Sequence, residues 1–339
     1  MIQINHENNE SLGANQKMGK IKVALLAGGW SSESAISSKS GKAAFDALDR
    51  DRYDVTMYNP KDDLDKVIAN KDRIDIAFIL LHGTYGEDGR IQGMLDILGI
   101  PFVGSGVLSS AMAVNKHIAK MVYRAEGLKV ARDMVISRAS GMSMDTLADK
   151  IIETLGPNTV IKPVEEGSSI GMSVCRDRAE ILDGLKKAFE YGGETMIEEY
   201  IRGAEITCCV MGNQELETLP LIEIVPRSQY RFFDYEAKYK AGATEEICPA
   251  AIEKRLAERA RAIAVSAHRA LKCSVWSRSD MIIRDKDIYL LETNTIPGMT
   301  ETSLFPLAAR QAGMTFSGLL EKLIALSMEK SRQTGAYFK

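Results

Sequence analysis

Residues 278 to 294 read Arg-Ser-Asp-Met-Ile-Ile-Arg-Asp-Lys-Asp-Ile-Tyr-Leu-Leu-Glu-Thr-Asn, two apolar runs around a polar Asp285-Lys286-Asp287 turn. A hairpin centred on Lys286 sets Asp280 opposite Glu292, and strand alternation puts Asn294 on the face of Glu292. Two carboxylates and an amide oxygen then converge on one patch of sheet. Opposed like charges repel unless a cation lies between them, and hard oxygen ligands suit Mg2+ shared with phosphate oxygens. Taken alone, the same residues also suit an ordinary hairpin with solvated acids, and a one-residue slip would undo the metal reading.

Three further stretches carry chemistry. Lys162-Pro163-Val164-Glu165-Glu166-Gly167-Ser168-Ser169-Ile170-Gly171-Met172 offers small residues whose backbone N–H groups can fold over phosphate, with Lys162 adding a point charge. It is neither a Walker A sequence nor a G-x-G-x-x-G, and a plain β-turn is the simpler reading. Leu81-His82-Gly83-Thr84-Tyr85-Gly86-Glu87-Asp88-Gly89 follows a buried strand, where open α/β sheets bind ligands. There His82, Glu87 and Asp88 could orient a polar substrate. Glu33, in the Gly28-Gly29-Trp30-Ser31-Ser32-Glu33 loop at the same sheet edge, is a candidate for an ammonium group, or simply an acid favouring a helix start. Finally, residues 230 to 239 hold 5 of the 22 aromatic residues without clean periodicity, which suits a lid or a self-packed Ω-loop.

These residues need positioning elements, and the chain supplies them in α/β alternation. Strand-like Ile21–Leu26, Tyr53–Tyr58 and Ile74–Leu81 are separated by helical patterns, which points to parallel βαβ units. A helical pattern runs from Leu108 to Gly127, and another from Ala179 to Tyr191. Strands are expected near Met134, Val160, Met172 and Met196. Residues 204 to 224 suggest a hairpin at Gly212-Asn213. Ile252, Leu256, Ala260, Ile263, Ala267 and Leu271 mark one helix face, and a C-terminal helix is expected over 315 to 328.

At 339 residues the chain has room for two or three domains of roughly 150 residues each. With 45% hydrophobic and 26% charged residues it can bury a sizeable core. A net charge of -3 argues against a dedicated nucleic-acid surface. No apolar run approaches the roughly 20 residues of a membrane span, and the polar residues 1–19 read as a flexible tail. Five cysteines without C-x-x-C spacing indicate neither a zinc site nor a disulfide framework, so a cytoplasmic protein is expected.

The order of these stretches resembles the D-alanine–D-alanine ligases of the ATP-grasp superfamily. The resemblance rests on GGWSSES (28–34), LLHGTYGEDGRIQG (80–93), VGSGVLSSAMAVNK (103–116), IKPVEEGSSIGMS (161–173), IEEYIRGAEIT (197–207), EIVPRS (223–228), FDYEAKY (233–239) and the block from 278 to 314. It covers about residues 20 to 328. The implied fold is a three-domain α/β ATP-grasp architecture: a Rossmann-like parallel-sheet substrate domain (20–115), a central ATP-grasp domain (116–203) and a C-terminal ATP-grasp domain with lid and metal site (204–339). By resemblance, Lys116, Lys162 and Lys238 contact phosphates, with Ser168 in the covering loop. Glu198, Glu199, Tyr200 and Ile201 line the adenine slot, and Glu205 accepts from the ribose. Asp280, Glu292 and Asn294 hold two Mg2+ (or Mn2+) ions.

The resemblance further implies that Glu33 binds the first D-alanine's ammonium and bonds with Ser168 and Tyr239, joining the N-terminal domain to two lids. His82 adds to the substrate site, while Ser303 and the Leu304 backbone take the second carboxylate. Arg278 and the Gly298 N–H stabilise an oxyanion. The implied reaction forms a D-alanyl phosphate from ATP and then the dipeptide, for peptidoglycan precursors, in a cytoplasmic homodimer without membrane insertion. Joining D-alanine to D-lactate or D-serine, or an inactive nucleotide-binding regulator, are the alternatives. Intact Arg278, Asp280, Glu292 and Asn294 argue against the regulator. Trp276-Ser277 and Ser279 depart from the small and apolar residues common there, and Arg90 and Val164 also differ from many relatives.

Overall fold

The computed structural model describes residues 19–226 and 244–334. Lys238, Tyr239 and the aromatic run from 230 to 239 lie outside the described residues. β1 (Ile21–Leu26), β2 (Tyr53–Tyr58), β3 (Ile76–Ile79) and β4 (Phe102–Val103) form a parallel sheet ordered β2-β1-β3-β4. The unbroken apolar run of β3 is explained by burial on both faces, from Ile76 through Leu81. The loops after β1 and β3 emerge at the same edge, where the Ser31 hydroxyl donates to the His82 carbonyl at 2.6 Å.

A second sheet is antiparallel: β5 (Asp133–Ser137), β6 (Thr159–Pro163), β7 (Ser173–Cys175) and β8 (Glu194–Glu199), ordered β5-β8-β6-β7. Helices Met144–Leu155 and Arg178–Phe189 close its own core around Ile151, Ile161, Leu185 and Ile197. The third sheet, ordered β12-β11-β9-β13-β14, contains β9 (Ala204–Gly212), β11 (Ile222–Pro226), β12 (Thr244–Ile247), β13 (Val275–Arg284) and β14 (Asp287–Asn294). The short β10 (Leu216–Thr218) also pairs with β9, so the hairpin expected at Gly212-Asn213 is present. Its return strand is interrupted between Thr218 and Ile222 and shifts by one residue against β9.

The first and third sheets share one hydrophobic core. Trp276 is fully buried in it, edge-on to Phe78 at 6.4 Å and to Phe305 at 5.2 Å. The unusual tryptophan thus bridges the parallel sheet and the helix Leu304–Gln311. Helix Lys254–Ala270 covers the other side of β9 and β13 with Ala260, Ala264, Ala267 and Leu271, close to the expected face. The second sheet keeps a separate core.

The continuous helix expected from Leu108 to Gly127 is instead two helices, Val107–Val114 and Lys116–Ala125. Asn115 between them is extended, and its side chain accepts from the Ile118 N–H at 3.0 Å. Asn is a strong N-cap because its short amide satisfies an orphan donor of the new first turn. The Lys116 N–H donates to the Val164 carbonyl at 3.1 Å, so the break delivers Lys116 to the loop after β6.

Candidate active site

In the hairpin β13–β14, Asp280 pairs with Glu292 and Arg278 with Asn294. The turn itself is Asp285-Lys286, with Asp285 at φ 57°, so the centre lies half a residue before Lys286. An extra residue in β14 between Leu290 and Glu292 compensates, restoring the expected pair. Arg278 grips Asp280 with two bonds, Nε to Oδ1 at 2.9 Å and an Nη2 to Oδ2 at 2.7 Å. The Thr207 hydroxyl donates to Oδ1 at 2.6 Å, and the Asn294 amide to Oδ2 at 3.2 Å. Burial opposes the charge on Arg278, but the Asp280 carboxylate holds it firmly protonated.

The loop after β6 folds back over this patch. Ser168 and Ser169 both adopt left-handed backbone conformations, at φ 48° and 58°, which side chains rarely hold without support. Support comes from Glu33, which accepts from the Ser168 hydroxyl. A β-carbon at Gly167 would lie 2.9 Å from Glu33 Oε2, so any larger residue would have to displace the Glu33 carboxylate. Lys116 closes the other side by donating from Nζ to the Glu166 carbonyl at 2.5 Å. The expected link between Glu33 and Ser168 is therefore present among the described residues.

A cleft lies between the second and third sheets. It brings together Lys116, Lys162, Ser168, Asp280 and Glu292 at one end with Glu198, Glu199, Tyr200, Ile201 and Glu205 along the wall. Glu198 Oε2 is 2.5 Å from Lys162 Nζ, and Glu198 Oε1 accepts from Lys120. Lys120 is fully buried and also donates to the Ala131 carbonyl at 3.0 Å, with Asp133 Oδ1 at 3.3 Å. Burial pushes Lys120 down to about 8 against the pull of Glu198, and the positive charge of Lys162 adds to the fall. Burial works against Glu198 too, yet two flanking lysines bring its carboxyl down to about 2. Lys120 was not singled out in the sequence; its spacing of four from Lys116 on one helix face is the signal that could have found it.

A smaller chamber adjoins the cleft, sharing Lys116, Glu166, Gly167 and Glu292 and adding Glu87 and Asn294. Glu87 accepts from the Gly83 N–H at 2.9 Å. Burial raises its carboxyl to about 8, helped by the charges of Glu33 and Glu292. His82 is pushed down to about 4 by burial and is neutral near pH 7; its Nε2 is 3.3 Å from the Ser40 hydroxyl, which in turn is 3.4 Å from the Met299 N–H. Ser303 and Gly298 are neighbours, a β-carbon on Gly298 falling 3.0 Å from Ser303 Oγ, but neither lines the cleft or the smaller chamber among the described residues.

The donor chemistry of this junction fits a divalent cation. Glu33, Glu87, Glu166, Asp280 and Glu292 face it against Lys116, Lys162 and Arg278; burial raises the Glu87 and Glu166 carboxyls, and the neighbouring acids add to the rise. Among the described residues no three acidic, imidazole or thiol groups converge into a preformed metal cage. Asp280, Glu292 and Asn294 would therefore supply part of a shell completed by phosphate and water, as Mg2+ prefers.

The burial of Glu87 beside other acids predicts a pH effect. Between about 4.5 and 8 the unfolded chain ionises Glu87 while the folded chain keeps its proton, so stability falls across that window as pH rises. Glu87→Gln removes this cost and keeps an acceptor for Gly83. Its melting temperature should exceed the parent's by about 3 °C more at pH 8 than at pH 5. A gain that is flat in pH would contradict the assignment.

Three sheets in this arrangement, with a cleft between the second and third closed by a small-residue loop and lysines, define an ATP-grasp fold. Residues 58–105 match the family described as D-ala D-ala ligase N-terminus, and 122–325 match D-ala D-ala ligase C-terminus. The chain belongs to the D-alanine–D-alanine ligase family. It is 50% identical over 310 residues to the D-alanine–D-alanine ligase of Syntrophobacter fumaroxidans, covering 91% of this chain and 98% of that one. Among solved structures, the D-alanine–D-alanine ligase of Bacillus anthracis complexed with ATP superposes with a TM-score of 0.80 at 34% identity, covering 93% of this chain and all of that one. A D-Ala:D-Ser ligase of Enterococcus faecalis superposes with a TM-score of 0.77 at 30% identity, covering 91% and 100%.

Proposed function

We infer that this chain is an ATP-dependent ligase that joins two D-alanine molecules, releasing ADP and phosphate. The observation that carries the reading is the junction of the two chambers, where Lys116, Gly167 and Glu292 border both the nucleotide cleft and the smaller substrate chamber. In this reading the terminal phosphate of ATP and the amino-acid carboxylate meet there. Family membership supplies the substrate class.

In this reading Glu198 to Ile201 receive the adenine, Glu205 the ribose, and Lys116, Lys162 and Lys238 the phosphates. Glu33 holds the ammonium of the first D-alanine, whose carboxylate attacks the γ-phosphorus to give D-alanyl phosphate and ADP. The second D-alanine, held by Ser303 and the Leu304 N–H, attacks the acyl carbon with its amine; phosphate leaves from the tetrahedral intermediate. Arg278 and the Gly298 N–H stabilise the oxyanion. Asp280, Glu292 and Asn294 would hold Mg2+, which when bound would supply positive charge against the transferring phosphoryl group. The Glu33–Ser168 bond closes the loop over the junction and keeps water from the acylphosphate. Tyr239 would complete that group. The proposal includes a homodimer working in the cytoplasm, where ATP is available, for peptidoglycan precursor synthesis.

Phosphate release with ATP, Mg2+ and a panel of D-amino and D-hydroxy acids tests the reading. D-alanine alone should support release with the dipeptide as product. Release only in mixtures with D-serine or D-lactate would move the assignment to a related ligase, and no release with any acid would favour a nucleotide-binding regulator.

A further inference from the structure

Ser303 is the N-cap of helix Leu304–Gln311, with extended backbone at φ −72° and ψ 152°. A serine there ordinarily turns its hydroxyl back to accept from the N–H of the second or third helical residue. Here the third helical residue is Pro306, which has no N–H to give. The Ser303 side chain makes no capping bond; only its carbonyl enters the helix, accepting from the Leu307 N–H at 3.0 Å.

The released hydroxyl is taken up by Thr300. Ser303 Oγ accepts from the Thr300 N–H at 3.0 Å and lies 2.7 Å from Thr300 Oγ1. Thr300 Oγ1 is in turn 3.3 Å from Thr302 Oγ1. A hydroxyl has one proton and two acceptor positions. If Thr300 donates to Ser303, both acceptor positions of Ser303 are filled and its own proton must point outward. An incoming carboxylate can only accept, so its arrival selects that orientation. The Thr302 hydroxyl can then donate to Thr300, aligning three hydroxyls toward the anion and polarising the last. A side chain at 298 would crowd the hydroxyl, its β-carbon falling 3.0 Å from Ser303 Oγ, so glycine leaves the site open.

We propose that Thr300 is a positioning residue for the second substrate, fixing the Ser303 hydroxyl as a donor to its carboxylate. The inference rests on the reading of Ser303 as a carboxylate ligand. Thr300 does not touch the substrate and acts through Ser303 alone.

The test is steady-state kinetics that resolves the two KM values for D-alanine, on Thr300→Val, Thr300→Ser, Ser303→Ala and the double variant Thr300→Val with Ser303→Ala. Thr300→Val should raise the second-site KM about fivefold while first-site and ATP KM values stay within about twofold. Thr300→Ser should restore the parent value, because it keeps the hydroxyl. In the double variant the Thr300 change should add nothing to Ser303→Ala. Equal melting temperatures for Thr300→Val and Thr300→Ser would confirm that folding is not the cause. An unchanged second-site KM in Thr300→Val beside a raised one in Ser303→Ala would overturn the inference, as would additive effects in the double variant. A Ser303→Ala variant with normal second-site KM would instead remove the underlying reading of Ser303.

Discussion

Asp280→Ala should lose ATP-dependent phosphate release with D-alanine by about a thousandfold or more, the scale set by removing a charge aimed at a reacting centre. The residue has two tasks. As a carboxylate opposite Glu292 it is half of the acidic pair proposed to hold Mg2+. It is also the anchor of Arg278, whose guanidinium is largely buried and makes two bonds to Asp280. Alanine leaves that guanidinium and the Thr207 hydroxyl without their carboxylate. Stripping one member from a buried ion pair costs about 3–5 kcal/mol. A loss of activity in Asp280→Ala could therefore come from unfolding, and Asp280→Asn separates the causes. The amide can still accept from Thr207 and from one Arg278 nitrogen, so this variant should melt above Asp280→Ala, though below the parent because Arg278 loses its counter-charge. It should nevertheless remain almost inactive, since an amide cannot replace the anion. Near-normal turnover by a folded Asp280→Asn would sink the metal assignment.

That pair shows what local sequence can and cannot specify. The alternation of β13 and β14 and their polar turn were readable because hairpin register is set within a few residues. The pairing of Asp280 with Glu292 nonetheless holds for a reason the pattern did not contain. The turn is centred before Lys286, and an extra residue in β14 restores the register. The Asn115 break was readable in principle, since Asn is a preferred N-cap, but the apolar periodicity on both sides masked it. Glu87 was noticed as a polar residue in a glycine-rich loop. Its raised carboxyl could not be, because that depends on Glu33 and Glu292 from distant segments. Lys120 is the clearest omission. Its partners Glu198 and Asp133 come from β8 and β5, and no local pattern reports which strands will bracket a helix.

Glu198→Gln should be the most destabilising single change on the cleft wall, lowering stability by about 3–5 kcal/mol at pH 7. The carboxylate stands between two ammonium groups, one fully buried and the other nearly so. An amide cannot neutralise either, and the two lysines then face each other. Asp133 offers Lys120 partial relief, but it already pairs with Arg124 and approaches His117 at 4.0 Å. The sign of the pH dependence follows. Lys120 titrates near 8 in the folded parent, below its unfolded value of 10.5, because burial disfavours its charge. Loss of Glu198 lowers that value further, so above pH 8 the variant can hold a neutral lysine at little cost. The deficit measured by thermal or urea unfolding should thus be largest near pH 6 and shrink toward pH 9. Below pH 4.5 the parent converges on the variant as Glu198 itself takes up a proton near 2. Lys162 links this network to catalysis: without Glu198 it loses the partner that aims it along the cleft, and the KM for ATP should rise about tenfold. A deficit that does not shrink on the alkaline side, or a KM for ATP equal to the parent's, would show that the lysines are held in place by something other than Glu198.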